Sequence, residues 1–364
     1  MTIYGNIFDE LFVLELANNH WGRIDRGLKI ISDFSKVVRY NNVRAAIKLQ
    51  FRDVDSFIHA DYKSRTDIRY IKKTLDTKMP KEDIITLVQA IKKSGCIPMA
   101  TPFDEQSVDF CVEMDMPLIK LASSDLNDWV LIEKIATTKL PVIASTGGSS
   151  LKDIDDLVTF FSNRRIPLAL NHCVSLYPSE DSELELNQIS FLKKRYPDIT
   201  VGFSTHEYHD WNSSMLLAYA LGARTFERHI DIEDDGIEVS PYCSLPEQVD
   251  EWFRAFAKAK EMCGPPGTFK RIPSEREVEY LDGLVRGVYA ARDLSVGHKL
   301  ADGDFVLAVP LLKGQLSCRE LIAGEEIKVA ISKGQPLTLD SLDNPYSRNS
   351  ALRAKIFNRG LQPD

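Results

Sequence analysis

Short apolar runs alternate along most of the chain with stretches whose apolar positions recur every three or four residues. Eight runs have strand length: "FVLELA", "AAIKLQ", "CIPMATP", "LIKLASS", "PVIASTG", "PLALNHC", "ITVGFST" and "ARTFERHI". Continuous apolarity over so few residues is what a strand covered on both faces requires. Between them, "SVDFCVEM", "DWVLIEKIATT", "DIDDLVTFFSN" and "SSMLLAYALGA" carry helical spacing. Strand and helix alternating over about 250 residues is the pattern of a (β/α)8 TIM barrel, an α/β fold. An open doubly wound sheet is the alternative, but no strand is followed by G-x-G-x-x-G, the usual dinucleotide signature.

The runs end in the same way. "LELANNH" delivers Glu15, Asn18, Asn19 and His20; "IKLQFR" delivers Lys48, Gln50 and Arg52; "MATPFD" delivers Thr101 and Asp104. Later tips carry Lys120, Ser123, Ser124 and Asp125; Ser145 and Thr146; Asn171, His172, Ser175 and Tyr177; Ser204 and His206; Glu227 and His229. In a barrel all C-terminal strand ends open on one face, so these residues are expected to meet at one mouth.

An amphipathic stretch from about Leu245 to Met262 supplies the last barrel helix, so the barrel is expected over residues 1–263. "CGPPGTFKRIPSERE" breaks that helix with Gly264, Pro265, Pro266 and Gly267, and residues 264–283 read as a linker. "RGVYAARDLSVGHKLADGDF" and "GEEIKVAISKGQPLTLDSLD" alternate in short strands with Gly turns, which predicts a small β-rich domain over 284–345. Residues 346–364 form a basic tail, expected to be partly mobile.

Charge and cysteine usage narrow the setting. A net charge of -8 argues against a general nucleic-acid or anionic-membrane surface, so any anionic ligand must be met by local cations. Six scattered cysteines without a C-x-x-C pair read as reduced thiols. The first ten residues lack a basic region followed by an apolar run, and no apolar run approaches the roughly 20 residues of a membrane span. A soluble, cytoplasmic protein is the expectation.

Three features point to chemistry. Lys48 and Lys120 each interrupt an apolar strand, where an ammonium must be paired. One such lysine reads as a structural salt bridge; two, beside Thr101, Ser123, Ser145 and Ser204, suit a cradle for phosphate or carboxylate. His206 and His229 end neighbouring strands and could share a divalent metal, with Glu227 or Glu15 nearby, or could be hydrogen-bonded core histidines. Asp125 follows Lys120 by five positions and could act as a general acid or base, or cap the helix after "SSDLND".

These segments resemble the sialic acid synthase (N-acetylneuraminate synthase) family, transferases that condense phosphoenolpyruvate with N-acylated amino sugars. The resemblance covers nearly the whole chain: "ELANNHWG", "AIKLQ", "TPFDEQSVDF", "IKLASSDLND", "PVIASTGGSS", "NHCVSLYP", "VGFSTHE" and "LGARTFERHI". "VYAARDLSVGHKL" and "ISKGQPLT" look like the antifreeze-like (SAF, β-clip type) domain that follows the barrel there. It implies that Lys48, Thr101, Lys120, Ser123, Ser145, Ser175 and Ser204 bind phosphoenolpyruvate, and that His206 and His229 hold Mn²⁺ or Mg²⁺. Asp125 and Glu15 become proton carriers, and Tyr177 faces the sugar. It also implies a homodimer in which the small domain of one subunit covers the mouth of the other, and release of phosphate by C–O cleavage.

The chain departs from that pattern on the sugar side. Family members show an acidic residue in a segment of the type Asp-His-x-x-Ser-Leu, where this chain has Ser240 and Pro241 in "SPYCSL". An Arg-Pro-Gly segment of the small domain corresponds here to "LAVPLLKGQ", and Thr205 stands where an Asp is common before the first histidine. The resemblance therefore implies a synthase of a sialic-acid-like ulosonic acid with an acceptor other than N-acetylmannosamine. The alternatives are a pseudaminic- or legionaminic-type synthase, a non-catalytic relative that binds an anion or partner, and a metal-dependent aldolase or hydrolase on the same barrel.

Overall fold

The computed structural model describes residues 6–234, 236–265, 267, 269–320, 324–343 and 349–362. Contacts divide the chain into two compact units, Met1–Pro265 and Pro266–Asp364. In the first, β1 (Leu11–Ala17), β2 (Ala45–Phe51), β3 (Ile97–Pro102), β4 (Ile119–Leu121), β5 (Val142–Ser145), β6 (Leu168–Cys173), β7 (Thr200–Thr205) and β8 (Thr225–His229) close in sequence order. All are parallel, and β8 returns to β1 with Leu11 opposite Thr225 and Glu15 opposite His229. This is the TIM barrel expected from the alternating pattern, each strand lying on one of the eight apolar runs.

Helices α1 (Ile24–Asn41), α2 (Val54–Phe57), α3 (Arg69–Asp76), α4 (Lys81–Ser94), α5 (Glu105–Glu113), α6 (Trp129–Thr137), α7 (Leu151–Asn163), α8 (Asn187–Arg195), α9 (Ser213–Ala220) and α10 (Pro246–Cys263) connect the strands or complete the ring. Their apolar stripes meet the outward strand residues in one large core, where Phe12 packs edge-on against Trp252, Phe253 and Phe256 of α10. The segment holding α2 and α3, between β2 and α4, adds two short helices that the hydrophobic pattern did not announce.

The second unit holds α11 (Glu275–Asp282), the antiparallel pair β9 (Gly287–Ala290) with β10 (Phe305–Ala308), and β11 (Glu326–Ile327) with β12 (Leu342–Asp343). Its separate core gathers Val288, Leu294, Leu300, Leu316, Ile327 and Leu337. Two stretches differ from their reading as sequence. Residues 275–282, inside the expected linker, form α11 behind a Ser274 cap. In the basic tail, α12 (Ser350–Phe357) buries Ile356 in this core, and Arg359 is buried in an ion pair with Glu320. The boundary expected at 345/346 and the first five residues of the chain lie outside the described residues. All six cysteines are free, and among the described residues no helix is long and apolar enough to cross a membrane.

Candidate active site

Strand side chains alternate, so every second barrel residue points inward. At the floor, Leu11, Val13, Ala46, Met99, Leu118, Ile143 and Ala169 form an apolar plug with Phe8. One pleat toward the C-terminal ends, the rows of Val13, Ala46, Met99, Leu118 and Ile143 reach Glu15, Lys48, Thr101, Lys120 and Ser145. The same period that builds the core thus delivers a polar layer directly above it. The close meeting of strands there needs Gly202: a Cβ at that position would lie 1.8 Å from Thr225 Oγ1 and 2.3 Å from Asn171 Oδ1.

The polar layer floors a cavity of about 620 Å³ lined by Glu15, Lys48, Thr101, Lys120, Ser123, Ser145, Ser175, Tyr177, Ser204, His206, Glu227 and His229. Lys48 is 4 % exposed; its Nζ lies 2.5 Å from Glu15 Oε2, 2.9 Å from Glu227 Oε1 and 3.2 Å from Thr101 Oγ1. Lys120, 3 % exposed, donates to Ser145 Oγ at 2.5 Å and lies 3.5 Å from Glu227 Oε2. Glu227 joins the two lysines, and Asn171 steadies it from behind at 3.5 Å.

Burial acts on these four groups alike, and their partners divide them. It pushes the Glu15 carboxyl up, more than Lys48 pulls it down. On Glu227 burial also acts upward, but Lys120 and Lys48 outweigh it and hold the carboxyl at about 2. Lys120 is lowered, chiefly by burial, while Lys48 is raised because Glu15 and Glu227 together overcome its burial. Two carboxylates pushed in opposite directions are the arrangement from which separate acid and anion roles arise. Glu15 is the readier of the two to take up a proton, and Glu227 is the one held as the anion.

Ser123 accepts from the Gly147 amide at 3.1 Å, and a Cβ on Gly147 would come within 2.1 Å of Ser175 Oγ. The turn after β5 is therefore pressed against the two serines, both of which line the cavity.

His206 and His229 stand with ring centroids 5.4 Å apart, Tyr177 covers His206 at 3.9 Å, and Tyr242 meets His229 at 5.2 Å. His206 Nδ1 faces the Val174 carbonyl at 2.9 Å, which leaves Nε2 free. Burial lowers His206 to about 4 and His229 well below its ordinary value, so both rings are neutral, the form that binds a metal. Among the described residues no three His, Cys, Asp or Glu side chains form a metal-binding group. Two neutral imidazoles side by side could supply two ligands to a divalent ion.

Not every residue expected at the mouth reaches the cavity. Asp125 sits in a turn after β4 (Ser123–Asp125) beside the lining residues, with Oδ2 buried and without a hydrogen-bond partner and its carboxyl pushed up by burial. The cap of α6 is Asp128, which accepts from Leu131 N at 3.1 Å, so the helix-capping alternative for Asp125 falls away. His172 is turned to the Leu184 carbonyl at 2.7 Å, and His20 accepts from the Gly22 amide at 3.0 Å. Gln50, Arg52, Lys73, Cys173 and Tyr242 also line the cavity. Gln50 and Arg52 were visible at a strand tip without a role. Lys73 and Tyr242 arrive from outside the strands, on α3 and on the segment after β8, where strand-end reasoning has no reach.

The NeuB family model matches residues 41–265, and the SAF domain model matches residues 285–343. The N-acetylneuraminate-9-phosphate synthase of Drosophila melanogaster is 26 % identical over 94 % of this chain and 98 % of its own. The pseudaminic acid synthase of Campylobacter jejuni is 26 % identical over 82 % of this chain and 86 % of its own. A solved structure of a spore coat polysaccharide biosynthesis protein E from Chromobacterium violaceum is 35 % identical, with a TM-score of 0.87 over 92 % of this chain and 100 % of that one.

Proposed function

The chain belongs to the NeuB family, with a SAF domain behind its barrel, and from that premise we propose that it condenses phosphoenolpyruvate with an open-chain amino sugar or hexose to a sialic-acid-like ulosonic acid. A phosphoenolpyruvate-dependent condensing synthase is the activity its relatives share; the acceptor and the release of phosphate by C–O cleavage are our reading. The observation that carries it is the pair of lysines, both nearly inaccessible, that meet hydroxyls and two carboxylates at the end of the cavity. A metal-dependent aldolase or hydrolase accounts less well for two such cations.

In this reading Lys48, Lys120, Thr101, Ser145 and Ser204 receive the carboxylate and phosphate of phosphoenolpyruvate, with Ser123 and Ser175 on the neighbouring turns. Donors held in place by the barrel stabilise charge without reorganising, and loss of one costs about 10²-fold or more in rate. His206 and His229 would hold Mn²⁺ or Mg²⁺, whose chemistry when bound is polarisation of the sugar aldehyde. C3 of the enolpyruvate attacks that carbon, water adds at C2, and the tetrahedral carbon loses phosphate. Glu15 takes up and returns the proton that these steps exchange, and Asp125, outside the lining, is the second carrier through its hydrogen bond with the lining residue Ser124. Tyr177 and Tyr242 supply the aromatic wall against which a sugar rests. Ser240, Pro241 and Thr205, together with the lack of an arginine in "LAVPLLKGQ", support an acceptor other than N-acetylmannosamine. Assembly as a homodimer belongs to the same reading.

The test is calorimetry of phosphoenolpyruvate with the purified protein, with and without Mn²⁺, beside Lys120→Ala. Binding that Mn²⁺ strengthens and the variant loses is expected. No binding by the intact protein would remove the synthase reading.

A further inference from the structure

Two cations line the cavity outside the lysine–glutamate cluster: Arg52, just past the end of β2, and Lys73 on α3. Within the cluster each lysine is paired with at least one of two carboxylates. The other charged side chains of the lining are Arg52 and Lys73, both cations, in a chain whose total is -8. Neither forms an ion pair with a carboxylate among the described residues. Asp125 feels the charge of Arg52 but lies outside the lining.

Arg52 is also built in rather than draped over the rim. Its guanidinium centre stands 3.7 Å from the Phe103 ring centre, 5.7 Å from that of Phe57 and 5.8 Å from that of Tyr70. Nη1 donates to Gln50 Oε1 at 2.9 Å, and Gln50 in turn donates to Glu15 at 3.0 Å. Nε is buried with no acceptor. A planar fork fixed by aromatic rings, with a donor left unused, is prepared for a carboxylate or phosphate. Arg52 lies four residues beyond Lys48, roughly 13 Å outward at about 3.3 Å per residue, so it meets the cavity nearer its open end than the enolpyruvate site.

Resting on the synthase reading above, we infer that the acceptor carries an anionic group of its own, a phosphate monoester or a carboxylate, which Arg52 and Lys73 bind at the end away from the reacting aldehyde. The two cations then set acceptor specificity and leave phosphoenolpyruvate to the inner lysines.

The experiment uses the full-length protein with Mn²⁺ and without phosphoenolpyruvate, whose own Kd is measured separately, so that acceptor binding is read without turnover. Binding of N-acetylmannosamine, its 6-phosphate and the corresponding hexuronate is measured by calorimetry for the unaltered chain, Arg52→Gln, Arg52→Lys and Lys73→Met. One charged probe is expected to bind at least about tenfold more tightly than the neutral sugar, the return on one charge-assisted bond. Which probe wins distinguishes phosphate from carboxylate. Arg52→Gln is expected to erase the preference and Arg52→Lys to keep part of it, with the phosphoenolpyruvate Kd unchanged within about twofold. Equal binding of all three probes, absence of binding by any of them, or an equal loss of phosphoenolpyruvate affinity in Arg52→Gln overturns the inference while leaving the synthase standing. If phosphoenolpyruvate itself does not bind, the synthase reading fails first.

Discussion

Glu15 and Lys48 are register partners on β1 and β2, and their side chains close to 2.5 Å inside the barrel. The pair is buried on both sides, so it cannot be a surface ornament: breaking such a pair leaves an uncompensated charge at a cost of about 3–5 kcal/mol. A barrel that keeps it at the floor of a cavity, joined to Lys120 through Glu227, maintains a charged layer where a plain apolar one would hold the fold better.

Glu15→Gln preserves volume and the contact with Gln50 but leaves the inner cluster with one uncompensated cation. Phosphoenolpyruvate is expected to bind at least as tightly, while turnover falls by about 10²-fold or more, as for loss of a proton carrier. Calorimetry and phosphate release read the two effects separately. Unchanged turnover would take Glu15 out of the proton traffic.

Asp125 and Asp128 stand three residues apart with different duties. Asp128→Ala removes the cap of α6 and is expected to cost about 1 kcal/mol of stability with little change in turnover. Asp125→Asn relieves a buried, unpartnered carboxylate oxygen and is expected to leave stability equal or higher while turnover drops. Thermal unfolding beside steady-state rates separates the pair; the same profile in both variants would return Asp125 to a structural role.

His20 is held at about 4 by burial, whereas an unfolded chain takes up its proton near about 6.5. Its contribution to barrel stability is therefore complete above about 6.5 and is lost as the pH falls toward about 4. The unfolding midpoint is expected to fall between pH 7 and 5, and His20→Gln to flatten part of that fall. An unaltered slope in the variant would show that the proton goes elsewhere.

Glu325 has the opposite sign. Both its carboxylate oxygens are buried without a hydrogen-bond partner, and burial pushes the group to about 7. Folding favours the protonated acid, so stability of the second unit is complete below about 4.3 and declines as the pH rises through about 7. The unfolding midpoint of that unit is expected to fall between about pH 4.3 and about pH 7, and Glu325→Gln to remove that part of the fall. Persistence of the trend in the variant would exclude Glu325 as its source.

Gly202→Ala sets a Cβ 2.5 Å from the Thr225 carbonyl, a backbone atom that cannot step aside. Overpacking of this kind costs about 1–3 kcal/mol or more, and a lowered midpoint or insoluble chain is expected. Thermal unfolding decides; a midpoint equal to the unaltered protein's would mean that β7 and β8 can part.

The barrel was legible because buried parallel strands must be apolar throughout and the helices between them must be striped; eight such runs leave few other ways to close a core. The polar tips were legible for the same reason: Glu15, Lys48, Thr101 and Lys120 break runs that burial would otherwise keep apolar. What linear order could not contain was pairing. That Lys48 faces Glu15 and Glu227 at once follows from the register of β1 with β2 and from the return of β8 to β1, a closure between residues more than two hundred positions apart. The lysines read as an anion cradle are also paired with two carboxylates, and only the folded barrel, by bringing those strand ends within hydrogen-bond reach, decided it. The same holds for Lys73 and Tyr242, which reach the cavity from outside the strands. Residue type along the chain determined which groups had to meet at the mouth; strand register and barrel closure determined which of them touch.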